Sequence, residues 1–287
     1  MRRTTSDKGI LRPQEAAEHI DLRRYPPEPD VGRFVERYWA VHWDLRDRDP
    51  YRVDIISHPC VNVTFTTEMG GEVHGVGTRT SSHPLAGSGR VFGVKFRPGG
   101  FFAYGGLPVA SLTDRSVPLR EVFGPAADAL TDAVLDADTD TDERRIGLVQ
   151  AFLRQRLPVT DDPAYHLLVG IVTTMLDDRA VTRVDQVAAR YDMSARTLQR
   201  LFHRYVGVGP KWMIRRYRLH DGAELLATGA VADPAALAVE LGWFDQAHFT
   251  RDFSALIGVS PVEYAMACAT TGDREPMALV GATPAGG

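Results

Sequence analysis

The C-terminal third of the chain repeats itself. Leu198-x-Arg200-x-Phe202, followed by Gly207, Val208 and Pro210, recurs 51 residues later as Phe249-x-Arg251-x-Phe253, followed by Gly258, Val259 and Pro261. Six paired positions share that single offset, for which chance is a poor account. A repeat of this period means two copies of one supersecondary unit. In the first copy Val184, Val187, Ala188 and Tyr191 fall at i, i+3, i+4 and i+7, which predicts a short amphipathic helix. Asp192-Met193 reads as a tight turn, and Ser194 is a fitting N-cap because its hydroxyl can accept a free backbone N–H. Leu198, Leu201, Phe202 and Tyr205 then form a buried stripe, and Gly207 ends the second helix. Helix, short turn and helix make a helix-turn-helix.

The second copy follows the same plan. Leu237, Ala238 and Leu241 line its first helix. Gly242-Trp243-Phe244 is a turn one residue longer than its counterpart, and Asp245 is the expected N-cap. Phe249, Phe253, Leu256 and Ile257 face inward. A long helix, about residues 211–227, connects the copies and holds them at a fixed separation.

The outward faces carry the chemistry. On the first recognition helix they are Ala195, Arg196, Gln199, Arg200 and His203. Arginine donates two hydrogen bonds to guanine, and glutamine pairs in bidentate fashion with adenine, as a helix in the major groove requires. The second copy offers Gln246, Ala247, Thr250 and Arg251, with fewer donors and methyl groups suited to thymine. Charge is divided unevenly. Residues 183–218 hold nine Lys/Arg against two Asp/Glu, a balance of +7, whereas residues 219–266 hold one Arg against seven Asp/Glu, a balance of −6. Phosphate contacts supply most non-specific affinity. The expectation is therefore that the first unit and the following helix, with Lys211, Arg215, Arg216 and Arg218, carry most of the grip on DNA.

The remaining chain reads differently. Between Asp21 and about Pro118 the pattern has period two. Trp39, Val41, Trp43 and Leu45 alternate with polar or small residues, as do Val61, Val63 and Phe65, and Phe92, Val94 and Phe96. Such alternation marks half-buried strands, and the glycine-rich breaks at 69–71 and 86–89 read as hairpin turns. The fold class expected is α+β and multidomain: an N-terminal antiparallel β barrel or sandwich, cupin-like, and a C-terminal all-α bihelical domain. The expected divisions are a flexible N-terminus (1–20), a β-rich effector-binding or dimerisation domain (21–120), a helical segment and linker (121–163), the DNA-binding domain (164–267) and a disordered tail (268–287). The apolar stripe Ile146, Val149, Phe152 and Leu153 makes the helix around 144–157 a candidate dimer interface.

Composition excludes other classes. With 44% hydrophobic residues, 24% charged residues and a net charge of −4, the chain is neither disordered, collagen-like nor a coiled-coil rod. Two cysteines, Cys60 and Cys268, build neither a disulfide framework nor a Cys₄ zinc site. No secretory segment and no membrane-spanning run is read, so the expectation is a soluble cytoplasmic protein. No phosphate-binding loop or dinucleotide fingerprint is present; no cofactor is expected.

The second repeat resembles the signature of the AraC/XylS-type transcriptional regulators: Leu237-Ala238-x-x-Leu241-Gly242-Trp243-x-Asp245-Gln246-x-His248-Phe249-x-Arg251-x-Phe253, then Gly258-Val259-Ser260-Pro261-x-x-Tyr264. The resemblance covers roughly residues 165–266. It implies seven helices with two helix-turn-helix units entering successive major grooves on one face of DNA. Two positions depart from it: Trp243 stands where the family usually has Phe, and Gly222 where it usually has Ala. Glycine inside a helix costs about 1 kcal/mol relative to alanine, so a more flexible connector is expected. A weaker resemblance, to β-rich sensor domains attached to such regulators, rests on Gly93-Val94-Lys95-Phe96-Arg97-Pro98-Gly99-Gly100 and assigns no ligand.

The leading expectation is a sequence-specific, ligand-responsive transcriptional regulator and not an enzyme. Its partners would be double-stranded DNA, a small-molecule effector, a second copy of the chain and RNA polymerase. His58, Cys60, Asn62 and Arg97 are the effector-binding candidates, the first three at strand spacing on one face. Two alternatives compete. One is an enzyme or small-molecule-binding protein acting through the β domain, with Cys60 as a reactive or metal-binding residue. The other is an architectural DNA binder that contacts DNA without sequence preference.

Overall fold

The computed structural model describes residues 9–229 and 234–272. Chain order begins with α1 (Pro13–Ala17), β1 (Asp21–Tyr25), β2 (Val35–Leu45), β3 (Tyr51–Ile56), β4 (Asn62–Thr66), β5 (Gly70–His74), β6 (Thr80–Leu85) and β7 (Gly87–Phe96). It continues through α2 (Phe102–Gly105), β8 (Ser116–Pro118), α3 (Leu119–Phe123), α4 (Ala126–Leu135) and α5 (Asp142–Arg154). The strands make an antiparallel six-stranded sheet, in the order β1-β2-β7-β4-β5-β8, and a separate β3-β6 ribbon.

Period two decides which side chains go where. Val63 and Phe65 on β4, and Phe92, Val94 and Phe96 on β7, point to one face and pack with Leu130, Val134, Val149 and Leu153 of α4 and α5. On β2 the residues joining that core are Val35, Tyr38 and Ala40, not the tryptophan-bearing set. Val41, Trp43 and Leu45 face the opposite way and cluster with Val53 and Leu85 of the ribbon. Both faces of the sheet are covered.

This arrangement corrects the dimer-interface expectation for α5. Its stripe of Ile146, Val149, Phe152 and Leu153 is taken up by the chain's own sheet core, so no apolar seam is left there for a second copy. The expected loose N-terminus is also corrected from residue 9 onward. Pro13–Ala17 is helical, and Leu11, Ala16 and Ile20 are buried; residues 1–8 lie outside the described residues.

Seven helices follow among the described residues: α6 (Pro163–Asp177), α7 (Val184–Arg190), α8 (Ala195–Tyr205), α9 (Pro210–Ala227), α10 (Pro234–Glu240), α11 (Gln246–Ile257) and α12 (Pro261–Gly272). The expected tail at 268–287 begins too early, because α12 runs to Gly272 and buries Cys268; residues 273–287 lie outside the described residues. α9 is the axis of this part, with Met213, Ile214, Tyr217, Leu219, Ala223 and Leu226 all buried.

The helical part is seated on the β part at two places. Near the first repeat, Phe34 stacks on Tyr165 at 5.3 Å, Phe102 lies 4.4 Å from Tyr205, and Thr113 Oγ1 donates to Gly207 O at 2.8 Å. Near the second, Leu11 and Ile56 join the core of Leu219, Leu226, Trp243, Phe253 and Tyr264. The Gly93–Gly100 stretch serves the first seat. Gly99 has φ +82°, and a side chain there would come within 2.4 Å of Leu168 on α6.

A candidate nucleic-acid interface

Each repeat unit is fixed by local hydrogen bonds that the sequence spells out. In the first, Asp192 adopts φ +48° and Met193 N donates to Ala188 O at 2.9 Å, closing the turn. The Ser194 side chain then accepts from Thr197 N at 3.1 Å, satisfying one of the open donors of α8. Leu198, Phe202 and Tyr205 are buried. Ala195, Arg196, Gln199, Arg200 and His203 are exposed, on the side away from that stripe.

The second unit repeats the plan. Trp243 N donates to Ala238 O at 2.9 Å, Asp245 accepts from His248 N at 2.7 Å, and Phe249 and Phe253 are fully buried. Gln246, Ala247 and Arg251 are exposed and Thr250 is half-buried. The family departure at Trp243 has a local explanation. Its indole N–H donates to Asp252 Oδ2 at 2.8 Å, and Asp252 also pairs with Arg215 of α9 and lies 3.4 Å from His248 Nε2. A phenylalanine would leave one of those partners out. Sequence reasoning missed Asp252; the tryptophan itself was the available signal, since a buried indole N–H requires an acceptor.

Gly222 also reads differently in three dimensions. A Cβ at this position would sit 3.2 Å from Leu241 Cδ1 and 3.3 Å from Phe249 Cζ. The missing side chain lets α9 approach the second unit closely, so the glycine also serves packing.

The burial of arginines overturns part of the predicted interface. Arg216 and Arg218 are 3% and 2% exposed and cannot meet phosphates in this arrangement. Arg216 donates to Ser57 O at 3.2 Å and Thr78 O at 2.6 Å in the β domain, with Trp212 stacked 4.4 Å from its guanidinium. Burial pulls its pKa down to about 10. Arg218 donates to the carbonyls of Met175 and Asp178 at 3.2 and 2.8 Å, closing the C-terminal end of α6 where carbonyls are in excess. Arg215 is half-exposed but serves Asp252.

Arg183 pairs with Asp185 and Arg190 with Asp178, and Arg204 lies over the Phe102 ring at 4.9 Å. Of the nine basic residues in 183–218, Arg196, Arg200, Arg204 and Lys211 remain exposed and, among the described residues, without an ion pair, and of these Arg204 is laid over an aromatic ring. The acidic half is quenched in the same way: Glu240 pairs with Arg179, Asp221 with Arg218, and Glu263 accepts from Ser260 N.

The effector candidates do not form one site. β3 ends at Ile56 and β4 begins at Asn62, so His58 and Cys60 lie in the connecting loop, not on a shared strand face with Asn62. His58 stacks on His220 of α9 at 4.4 Å. Cys60 is buried, and burial pushes its thiol pKa up, with Asn62 Nδ2 3.8 Å from its sulfur. Arg97 is a buried strut that pairs with Glu36 at 2.9 Å and donates to Gly32 O at 2.9 Å. Elsewhere in the β domain His74 bridges Thr64 and Ser116, each 2.6 Å from a ring nitrogen. A shallow pocket is lined by His42, Phe65, Arg90, Phe92, Asp142 and Arg145. Among the described residues no group of three or more His, Cys, Asp or Glu is placed to hold a metal ion, and no helix is long and apolar enough to cross a membrane.

Residues 187–267 match a family described as a helix-turn-helix domain, and residues 23–118 match a domain of unknown function, DUF6597. No curated protein matches the chain. Among solved structures, ToxT from Vibrio cholerae is similar at 14% identity and TM-score 0.37, over 86% of this chain and 97% of that one. The AraC-like transcriptional activator CuxR is similar at 15% identity and TM-score 0.23, over 74% of this chain and 93% of that one. Likenesses this remote carry no argument about what the chain binds. The signature residues of the second repeat, the paired capped units and the family match together show that the chain carries an AraC-type helix-turn-helix domain, the DNA-binding module of a transcription regulator, behind a DUF6597 domain.

Proposed function

We propose that the protein is a sequence-specific regulator whose two recognition helices read adjacent major grooves and whose β domain responds to a small molecule. The observation that carries the DNA half is the exposed face of α8, where Arg196, Gln199 and Arg200 stand on a capped helix with neither arginine drawn into an ion pair among the described residues. Ala195 and His203 flank them, and Lys211 at the start of α9 adds a phosphate contact. Gln246, Ala247, Thr250 and Arg251 serve the second groove, one helical turn away. Arg215, Arg216 and Arg218 are left out of this interface.

The response to a ligand would pass through α9. Arg216 ties that helix to the carbonyls of Ser57 and Thr78, so an effector that shifts those two loops shifts the seat of the second unit. This reading gives Cys60 no catalytic role: burial pushes its thiol pKa up, away from the thiolate that would attack. The regulator acts in the cytoplasm with its DNA, and RNA polymerase and a second copy of the chain are its further partners. A dimer would use a surface other than the α5 stripe; light scattering over a concentration series tests whether it forms.

The test of the function is selection of bound genomic fragments by the full-length protein at near-physiological salt. Enrichment of one motif spanning about two helical turns is expected. Binding to all fragments alike would favour an architectural protein instead.

A further inference from the structure

The two turns superpose in their hydrogen bonding up to one residue. Met193 and Trp243 make the same bond, to Ala188 O and Ala238 O, at an offset of 50 residues. Ser194 and Asp245 make the same N-cap, to Thr197 N and His248 N, at an offset of 51. The inserted residue is therefore Phe244. It is 90% exposed and stands directly before the N-cap of α11. A phenylalanine held in water at that level needs a reason, since the fold makes no use of it.

The surroundings supply one. The N-terminal end of a recognition helix is the part that meets base edges. Next along the chain come Gln246 and Ala247, both exposed, and then Thr250, and Arg251 is the only basic residue between 219 and 266. Phosphate neutralisation is thus weak here. Gln246 and Arg251 can read base edges by hydrogen bonds, and an apolar side chain beside them reads by contact with the 5-methyl group of thymine, for which alanine, threonine methyl and phenylalanine are suited.

We propose that Phe244 is a specificity-determining residue that packs against a thymine methyl in the half-site of the second unit. The proposal rests on the DNA-binding reading above. The inserted residue has no equivalent in the first turn, so no phenylalanine-dependent methyl contact is expected in the first half-site.

The test uses full-length protein on its selected site, with each thymine replaced singly by deoxyuridine to remove only the methyl. Wild type is expected to lose about fourfold in affinity at one or two positions of the second half-site, the worth of one buried methyl-sized group. Phe244→Ala should bind the unmodified site more weakly by a similar factor, melt at the wild-type temperature, and be insensitive to deoxyuridine at those positions. Phe244→Leu should restore part of the sensitivity. Equal sensitivity of wild type and Phe244→Ala at every thymine would overturn the proposal. So would unchanged DNA affinity combined with lost transcription, which would assign the ring to a protein partner. Failure of the wild type to select any site overturns the DNA-binding reading and this proposal with it; selection without methyl dependence overturns this proposal alone.

Discussion

The first and second helix-turn-helix units share a backbone plan but spend their charged residues differently. The first leaves Arg196 and Arg200 exposed on α8, with neither drawn into an ion pair among the described residues. The second engages more of its charges within the fold: buried Asp252 gathers Trp243 and Arg215, and at the surface Glu240 pairs with Arg179, while Arg251 stays exposed. One unit is organised to attract a polyanion, the other to hold a shape beside it. An acidic balance in a DNA-binding half is thus no paradox, because much of the negative charge is occupied by intramolecular partners before DNA arrives.

The strongest way to break this contrast is to remove one arginine from each unit. Arg200→Ala should weaken specific binding roughly ten- to hundredfold, the range of one lost bidentate base contact, and Arg251→Ala by less. Equal or reversed losses in a titration would end the asymmetry. Next in size, Asp252→Ala strands a buried indole N–H and leaves Arg215 unpaired. It should destabilise the second unit by about 1–3 kcal/mol, read as a lower melting temperature, with the first unit's contacts intact.

Lys211→Gln sharpens the electrostatic side. Loss of one phosphate contact should reduce the slope of log affinity against log salt by about one, and an unchanged slope would remove Lys211 from the interface.

A pH series probes the β domain instead. Burial lowers the pKa of His74 below the ordinary 6.5, so protons bind the unfolded chain more readily than the folded one at this site. Stability from this group is complete above pH 6.5 and declines as pH falls below it. His74→Gln should flatten that decline in melting temperature; a decline of undiminished steepness would assign it elsewhere. The smallest effect is expected at Gly222→Ala. Its helix-propensity gain of about 1 kcal/mol is set against the shift it forces on Leu241 and Phe249, so chemical denaturation should place it within about 1 kcal/mol of wild type.

The parts that sequence reasoning found, and those it missed, divide by range of interaction. The units around α8 and α11 were readable because stripes, N-caps and glycine C-caps are set by residues a few positions apart. The strands of the sheet were readable by alternation, but not the face each set would take: Trp43 and Val41 pack on the ribbon because β3 and β6 return to cover that side. The α5 stripe looked available for a partner only because its own partner, the β4–β7 face of the sheet, lies far away in the chain.

The effector candidates fared worst. His58 and Cys60 lie in a loop whose course no periodicity predicts, and His58 meets His220 across 162 residues of chain.

By itself, then, the sequence determined two capped helix-turn-helix units joined by one helix and preceded by an antiparallel β domain, since helical and strand periods and capping act over a few residues. Tertiary structure alone decided which of the basic residues face solvent. Arg215, Arg216 and Arg218 look alike in a charge count, yet one binds Asp252, one the loop carbonyls of Ser57 and Thr78, and one the end of α6. The physical reason is that a guanidinium goes where acceptors concentrate. Those acceptors are supplied by elements 37 to 159 residues away, a distance at which no local pattern carries information.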